Sequence, residues 1–299
     1  THLTMAEDKA LAQKVPVNII LGGHEHEPMQ SLVGDIPIFK WGSDARIMGC
    51  VDLEVDVNSG KVVGMDWSGI SVGKSVASDP KIQELIDDLD DQLNSQMDEP
   101  VATTTVELDG QKVSSRSRES NLGNLVADAF RARFSSDVAM ILGSSIRLDQ
   151  KVPKGVIQRR LAMQILPYEN PLVEVRANGQ QLRQILEHAL SEGAVSDRFV
   201  QVSGIKVVYD PKKAVGSRVV SLEVGGKPVE EARSYSLTCN EFMRKGGCGY
   251  KILSELPVLR GAEDAPNESH VLLEYLQTRQ SIAPRVEGRI TNLASAGSK

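Results

Sequence analysis

From residue 100 onward, short apolar runs rich in β-branched residues alternate with segments whose apolar residues recur at helical spacing. A run such as 138–142 predicts a buried strand. The spacing of Leu122, Leu125 and Val126 predicts an amphipathic helix. This alternation predicts a mixed α/β fold. Strands are expected over residues 101–108, 112–113, 138–142, 172–177, 205–209, 219–224, 235–240 and 286–290, and helices over 120–134, 180–191 and around 271–276.

The residues up to 76 have a sheet pattern with one short helix. Asn58-Ser59-Gly60-Lys61 is typical of the turn of a β-hairpin between two apolar runs. At about 75 residues the segment is short for a complete domain, so it predicts only part of one. A helix is expected over residues 5–14 and strands over 15–21, 36–41, 47–57 and 62–72.

A helix is expected to separate these two regions. Ser78-Asp79-Pro80 offers an N-cap residue followed by proline at the first helical position. Apolar residues then recur at helical spacing, and aspartates occupy the opposite face, which we interpret as solvated rather than as a metal site. We therefore expect part of a domain over 1–76, a connecting helix over 77–99 and a second domain over 100–299.

Charge and length limit the classes of function. The chain has 299 residues, which allows two domains, and a net charge of −6, which argues against a general nucleic-acid surface or anionic-membrane surface. An anionic substrate would therefore need a local cluster of Arg or Lys. No apolar run reaches the length of a transmembrane segment.

The segment Gly22-Gly23-His24-Glu25-His26 follows an apolar run and places two histidines at positions i and i+2. In extended chain this spacing points both imidazoles to one side. Histidines held at the end of a buried strand are plausible metal ligands, and His2 is the nearest candidate for a third. The alternative is a pair of exposed polar loop residues.

Several segments together resemble motifs of the 5′-nucleotidase and UDP-sugar hydrolase family, in the order that the family has them. The resemblance spans nearly all of the chain. The segments are Thr1-His2-Leu3, Gly22-Gly23-His24-Glu25-His26, Arg116-Ser117-Arg118-Glu119-Ser120-Asn121-Leu122-Gly123-Asn124-Leu125, Gly143-Ser144-Ser145-Ile146-Arg147, Leu166-Pro167-Tyr168-Glu169-Asn170-Pro171-Leu172, Gly246-Gly247-Cys248-Gly249-Tyr250 and Val286-Glu287-Gly288-Arg289-Ile290.

The resemblance implies a mixed α/β phosphohydrolase. Its parts here would be a segment of a calcineurin-like metallophosphoesterase β-sandwich, a connecting helix and a C-terminal α/β substrate-binding domain. In such enzymes two divalent metal ions, zinc or manganese, activate a water that attacks a nucleotide or related phosphate ester. By motif position, His2 and His24 would share one metal ion and His26 would reach the other.

The resemblance also implies the substrate-binding residues. Arg116 and Arg147 match arginines that bind phosphate and carboxylate groups, for which a planar guanidinium is suited. Tyr168 and Phe242 match two aromatic residues that sandwich the nucleobase. Asn170 matches a position that hydrogen-bonds the base in some members.

Departures from the family pattern leave two alternatives open. The N-terminal metal motifs have no counterpart, so catalytic residues are expected upstream of Thr1. Leu142 stands in place of an asparagine, and Cys248 in place of a ribose-binding aspartate. Without such a carboxylate a site should discriminate less against other phosphates. The alternatives are therefore an inactive binding or structural member, and a phosphatase for a sugar phosphate.

Partners and location follow from the resemblance alone. The expected partner is a small phosphate ester, not a nucleic acid. A homodimer, or assembly with the missing N-terminal part, is expected as the state of the protein. Its expected location is extracellular or periplasmic.

Overall fold

The computed structural model describes residues 1–60, 62–73, 75–193 and 195–294, apart from the side chains of residues 92, 93, 95 and 264. The chain divides into two compact units, Thr1–Leu89 and Asp90–Lys299. The boundary falls inside a helix, Pro80–Met97, that occupies most of the segment expected to connect two domains. Within the described ranges, none of the helices combines the length and the apolar character needed to cross a membrane.

Unit 1 contains a three-stranded sheet and a separate hairpin. In the sheet, strand 36–41 is central and pairs with 20–22 in parallel and with 28–33 in antiparallel fashion. The strand at 20–22 is shorter than the expected 15–21, since its pairing with the central strand begins only at Ile20, which lies opposite Ile38. The elements are α1 (Met5–Ala12), β1 (Ile20–Gly22), β2 (Pro28–Val33), β3 (Ile36–Trp41), β4 (Ile47–Val55), β5 (Val62–Ser71) and the first part of α2 (Pro80–Met97).

Unit 2 begins within α2 and contains most of the helices and strands of the described chain. Its elements are β6 (Pro100–Thr104), β7 (Leu108–Asp109), α3 (Lys112–Ser115), α4 (Asn121–Phe134), β8 (Val138–Leu142), β9 (Lys151–Val152), β10 (Gly155–Gln158), α5 (Arg159–Ile165), β11 (Leu172–Asn178), α6 (Gly179–Ala189), β12 (Val200–Ser203), β13 (Ile205–Tyr209), β14 (Val219–Val224), β15 (Lys227–Pro228), β16 (Ser234–Asn240), α7 (Glu241–Arg244), α8 (Lys251–Ser254), β17 (Val258–Arg260), α9 (Glu268–Arg279), β18 (Ser281–Ile282) and β19 (Ile290–Asn292).

A five-stranded sheet in the order β12-β8-β16-β11-β17 forms the middle layer of unit 2. In β8, Val138, Met140 and Leu142 pack into one apolar cluster with helix α6, whereas Ala139 and Ile141 pack into a second cluster with helices α4 and α9. Successive side chains of a strand point to opposite faces, so a strand covered on both faces must be apolar throughout. The predicted mixed α/β fold is confirmed.

Two predicted strands of unit 2 are wrong. Residues 112–115 form helix α3, and β7 pairs with β9 instead of turning back at Asp109-Gly110. The closing strand begins at Ile290 rather than at Val286. The reason is the buried carboxylate of Glu119, which accepts hydrogen bonds from the backbone N–H groups of Glu287 and Arg289 at 2.7 Å each. These two N–H groups are therefore not available to pair with a neighbouring strand.

Candidate functional site

The histidine loop follows β1, but its backbone is not extended. His24 has φ 68° and His26 has φ 62°, which are left-handed values that non-glycine residues seldom adopt. The expectation that both imidazoles lie on one side of an extended segment is therefore wrong. Both side chains are exposed.

His2 and His24 lie together. Their ring centroids are 5.2 Å apart, and the rings meet edge to face. His26 makes no ring contact with either of them. Within the part of the chain that the structure describes, no group of three His, Cys, Asp or Glu side chains is placed to hold a metal ion. The loop and the N-terminal segment thus bring together a pair of imidazoles rather than a closed ligand set.

Glu25, between the two loop histidines, ties the loop to the rest of unit 1. It accepts the backbone N–H of Met5 and the ammonium group of Lys40, whose Nζ is 2.5 Å from Oε2. Lys40 is buried in β3, and its Nζ lies 3.0 Å from the buried carboxylate of Asp8 in α1. Burial lowers the pKa of Lys40, but the hydrogen bonds to Glu25 and Asp8 outweigh it and raise the pKa above its usual value. The loop is therefore anchored by a charged network.

Arg116 is held at the end of α3 and is mostly covered, with 11% of its side chain exposed. Its Nη1 pairs with Asp197, while its buried Nε has no protein partner among the described residues. Ser144 donates to the backbone oxygen of the same Asp197 at 3.2 Å. A Cβ on Gly143 would lie 1.8 Å from the carbonyl oxygen of Ser115, so only glycine lets this turn pack against α3.

Cys248 and Leu142, the two departures from the family pattern, have different surroundings. Leu142 is buried in the core of unit 2. Cys248 is half-buried, and burial and then the charge of Asp197 raise the pKa of its thiol, while Arg116 opposes this. The 246–250 motif therefore lies near Arg116, with a thiol that its surroundings keep protonated.

The two predicted base-stacking residues are exposed aromatic side chains, Tyr168 at 45% and Phe242 at 46%. The guanidinium carbon of Arg147 lies 5.8 Å from the centroid of the Tyr168 ring, within range of a cation–π contact. A Cβ on Gly247 would lie 2.4 Å from the Phe242 ring, so the ring lies directly against this glycine. No ring contact joins Tyr168 to Phe242 among the described residues.

The predicted base-contacting Asn170 is half-buried, and its amide faces inward. Its Nδ2 donates to Glu268 Oε1 at 3.1 Å, and Asn240 Nδ2 donates to Glu268 Oε2 at 2.8 Å. Glu268 is buried at the start of α9. Desolvation raises its pKa to about 7, and the two amides only partly oppose this.

Unit 2 has two further clefts of about 490 and 420 Å³, and the larger is lined also by Ser117, which adjoins the predicted substrate residue Arg116. The larger is lined in part by Arg118, Glu192 and Arg218, and the smaller by Glu99, Arg159 and His270. In the smaller cleft Arg159 pairs with Glu99, and in the larger Arg218 donates to the backbone oxygens of Leu190 and Glu192.

Sequence reasoning missed Glu268, Asp197 and Lys40. Glu268 carries only the signal of an acidic residue in the first turn of a helix. Asp197 lies in a loop, and Lys40 stands in an apolar strand without a visible partner. Their roles depend on contacts between segments far apart in the chain.

The profile of the family "5′-nucleotidase, C-terminal domain" matches residues 100–255, more than half of the chain. The chain belongs to the 5′-nucleotidase family. The resemblance described from its motifs is confirmed.

Named relatives agree with this assignment. The chain is 28% identical to snake venom 5′-nucleotidase of Naja atra, over 99% of this chain and 63% of the relative. It is also 28% identical to 5′-nucleotidase of Homo sapiens, over 97% of this chain and 57% of the relative. This chain thus spans only about three fifths of these two proteins.

Among solved structures, a 5′-nucleotidase precursor from Thermus thermophilus superposes with a TM-score of 0.74 and 26% identity, over 98% of this chain and 62% of that one. A putative 5′-nucleotidase from Staphylococcus aureus superposes with a TM-score of 0.75 at 17% identity, over 96% of this chain and 58% of that one. The second likeness concerns the fold alone.

Proposed function

We propose that the chain is part of a phosphomonoester hydrolase that acts on a 5′-nucleotide or a related phosphate ester. Residues 100–299 would form the substrate-binding domain, 77–99 the connecting helix and 1–76 part of the metallophosphoesterase domain. The observation that carries the proposal is the family match over 100–255, the region that contains the exposed Arg147–Tyr168 pair.

Arg116 and Arg147 are proposed to bind the phosphate group. An acidic chain needs a local positive cluster for an anionic substrate, and guanidinium groups bind phosphate through paired hydrogen bonds. The unpartnered Nε of Arg116 supports this role, because a buried donor gains a partner when an anion arrives. Asp197 would have to share the guanidinium group with the phosphate.

Tyr168, Phe242 and Asn170 are proposed to bind the base. Nearly half of each aromatic side chain is open to solvent, which leaves a ring face for stacking. Stacking of one base on an aromatic residue contributes about 1–3 kcal/mol.

Two divalent metal ions, zinc or manganese, belong to the proposal, but the described residues do not complete their site. His2 and His24 fit as a partial ligand pair, and His26 makes no ring contact with either. No hydrolytic step is therefore assigned to this chain. Zinc titration of the chain by calorimetry tests the pair: His24→Ala should abolish binding, and His270→Ala in α9 is the control. Equal zinc affinity in both variants would refute the assignment.

Nucleotide binding is tested by calorimetry with adenosine 5′-monophosphate and ribose 5-phosphate. Arg147→Ala should weaken both ligands about tenfold or more, since a hydrogen bond to a charged group contributes about 1.5–3 kcal/mol. Arg133→Ala, on the exposed face of α4, is the matched control. Unchanged affinity of Arg147→Ala would count against the phosphate site.

A second candidate is a phosphatase for a sugar phosphate, which Cys248 in place of a ribose-binding carboxylate favours. Equal affinity for ribose 5-phosphate and adenosine 5′-monophosphate would support it. In the intact protein, phosphate release from a panel of esters with zinc or manganese distinguishes both candidates from an inactive binding protein, and His24→Ala should remove that activity.

An extracellular or periplasmic location is proposed because relatives include proteins named as venom 5′-nucleotidases. Fractionation of cells that express the intact protein tests it. The oligomeric state stays a prediction.

A further inference from the structure

Three segments far apart in the chain meet at the carboxylate of Glu268. One oxygen accepts Asn170 from the loop before β11, and the other accepts Asn240 from the end of β16. The backbone N–H of Glu268 also donates to the carbonyl oxygen of Asn170 at 2.9 Å. Glu268 is thus the shared partner of two loops.

Each of these loops carries an exposed aromatic residue close to its asparagine. Tyr168 precedes Asn170 by two residues, and Phe242 follows Asn240 by two. A backbone hydrogen bond of 2.9 Å from Glu241 to Pro171 joins the loops directly. Their separation and tilt therefore depend on the contacts around this junction.

The hydrogen bonds determine which way each amide points. Asn240 Oδ1 accepts the backbone N–H of Met243 at 3.0 Å, so its NH₂ group must face Glu268. An ionised carboxylate only accepts hydrogen bonds, so Asn170 must also turn its NH₂ group toward it. The side-chain oxygen of Asn170, Oδ1, is then the amide atom directed away from the Glu268 carboxylate.

We propose that Glu268 is a positioning residue that holds the Asn170 amide with its oxygen outward and thereby selects nucleobases with an exocyclic amino group. This inference rests on the proposed function, because it takes Tyr168, Phe242 and Asn170 as the base site. A base with a carbonyl oxygen at the same position would face another acceptor and be disfavoured.

A glutamine at position 268 would reverse this preference. Its amide offers one acceptor and one donor. Asn240 cannot turn over without losing the hydrogen bond that its side-chain oxygen accepts from Met243. Its NH₂ group therefore still donates to the oxygen of the new glutamine, and the NH₂ group of that glutamine faces Asn170. Asn170 must then turn its oxygen inward and present its NH₂ group outward, which favours a carbonyl-bearing base.

Protonation of Glu268 should act like that substitution, because a protonated carboxyl also offers one donor and one acceptor. Burial places its pKa at about 7, so the change falls in an accessible range. Among the described residues no charged side chain pairs with Glu268. Glu169, Glu241 and His270, which lie within two residues of Asn170, Asn240 and Glu268 respectively, form neither a hydrogen bond nor an ion pair with Glu268.

The test compares adenosine and inosine 5′-monophosphates, which differ in an amino against a carbonyl group on the base. Calorimetry on the 299-residue chain above the pKa should show tighter binding of the adenosine nucleotide. Glu268→Gln should weaken binding of the adenosine nucleotide by about tenfold and strengthen binding of the inosine nucleotide. A change of this size corresponds to the gain or loss of one hydrogen bond. Glu274→Gln, exposed on the same helix, should match the wild type.

An unchanged affinity ratio in Glu268→Gln overturns the inference while leaving nucleotide binding intact. Failure of the wild type to bind either nucleotide overturns the proposed function and the inference with it. If Glu268→Gln does not fold, the wild type is measured from high to low pH, where the ratio should reverse; a constant ratio overturns the inference.

A ligand-free measurement completes the design. The side-chain amide resonances of Asn170 and Asn240 should titrate together in the wild type, and neither should titrate in Glu268→Gln. Independent titration of the two amides would overturn the shared-partner geometry.

Discussion

Replacing Glu268 with glutamine should remove a large part of the pH dependence of the stability of unit 2. The pKa of this carboxyl is raised from 4.5 to about 7 by burial. An acid with a raised folded-state pKa binds its proton in the folded protein while the unfolded chain is still ionised. The wild type should therefore gain stability as the pH falls from 7 toward 4.5.

The magnitude follows from the width of that window. Each pKa unit corresponds to about 1.4 kcal/mol, so the full window corresponds to about 3 kcal/mol of unfolding free energy. This free energy is the cost of burying the ionised Glu268 carboxylate, which is fully present above the folded-state pKa and disappears on acidification. Between about pH 8.5 and about pH 5, the stability difference between Glu268→Gln and the wild type should shrink by about 2–3 kcal/mol.

Urea unfolding followed by tyrosine near-ultraviolet circular dichroism measures this difference. All five tyrosines lie in unit 2 and both tryptophans in unit 1, so the part of the transition that tryptophan fluorescence does not show reports on the unit that contains Glu268. Glu274→Gln, on the same helix, controls for the loss of one negative charge. A stability difference that stays constant with pH would refute a neutralised buried carboxyl at this site.

Three further substitutions test other contacts. Lys40→Met leaves the carboxylates of Asp8 and Glu25 without their cation, and that of Asp8 is fully buried. The substitution should destabilise unit 1 by about 3–5 kcal/mol, measured by tryptophan fluorescence during urea unfolding. A loss below about 1 kcal/mol would contradict the network. Gly143→Ala should lower the stability of unit 2 by more than about 2 kcal/mol, because its Cβ would lie 1.8 Å from a backbone oxygen. Gly193→Ala is the control, since its Cβ would meet nothing within 4 Å and should change the stability little. Equal unfolding midpoints of the two variants would contradict the close packing. Arg289→Lys keeps the positive charge but loses the paired hydrogen bonds to the carboxylate of Asp128. It should lower the unfolding free energy of unit 2 by about 1–3 kcal/mol, measured by the tyrosine signal. An unchanged stability would show that the paired hydrogen bonds are unimportant.

Where the chain pattern decided a local structure, the prediction from sequence succeeded. The hairpin of β4 and β5, the helix starting at Pro80 and the apolar strand β8 were all visible as periodicity and turn residues. Short elements behaved differently. Residues 112–115 are helical, and β7 pairs with β9, which lies far along the chain rather than across a local turn.

The sequence by itself determined the family and the mixed α/β class, because ordered motifs and period-two or helical patterns are properties of neighbouring residues. Only the tertiary structure decided how the candidate site is supported. Lys40 joins three segments of unit 1, and Glu268 joins two loops that are about 70 residues apart in sequence. Their burial and their partners are set by packing between distant segments, which no local pattern records.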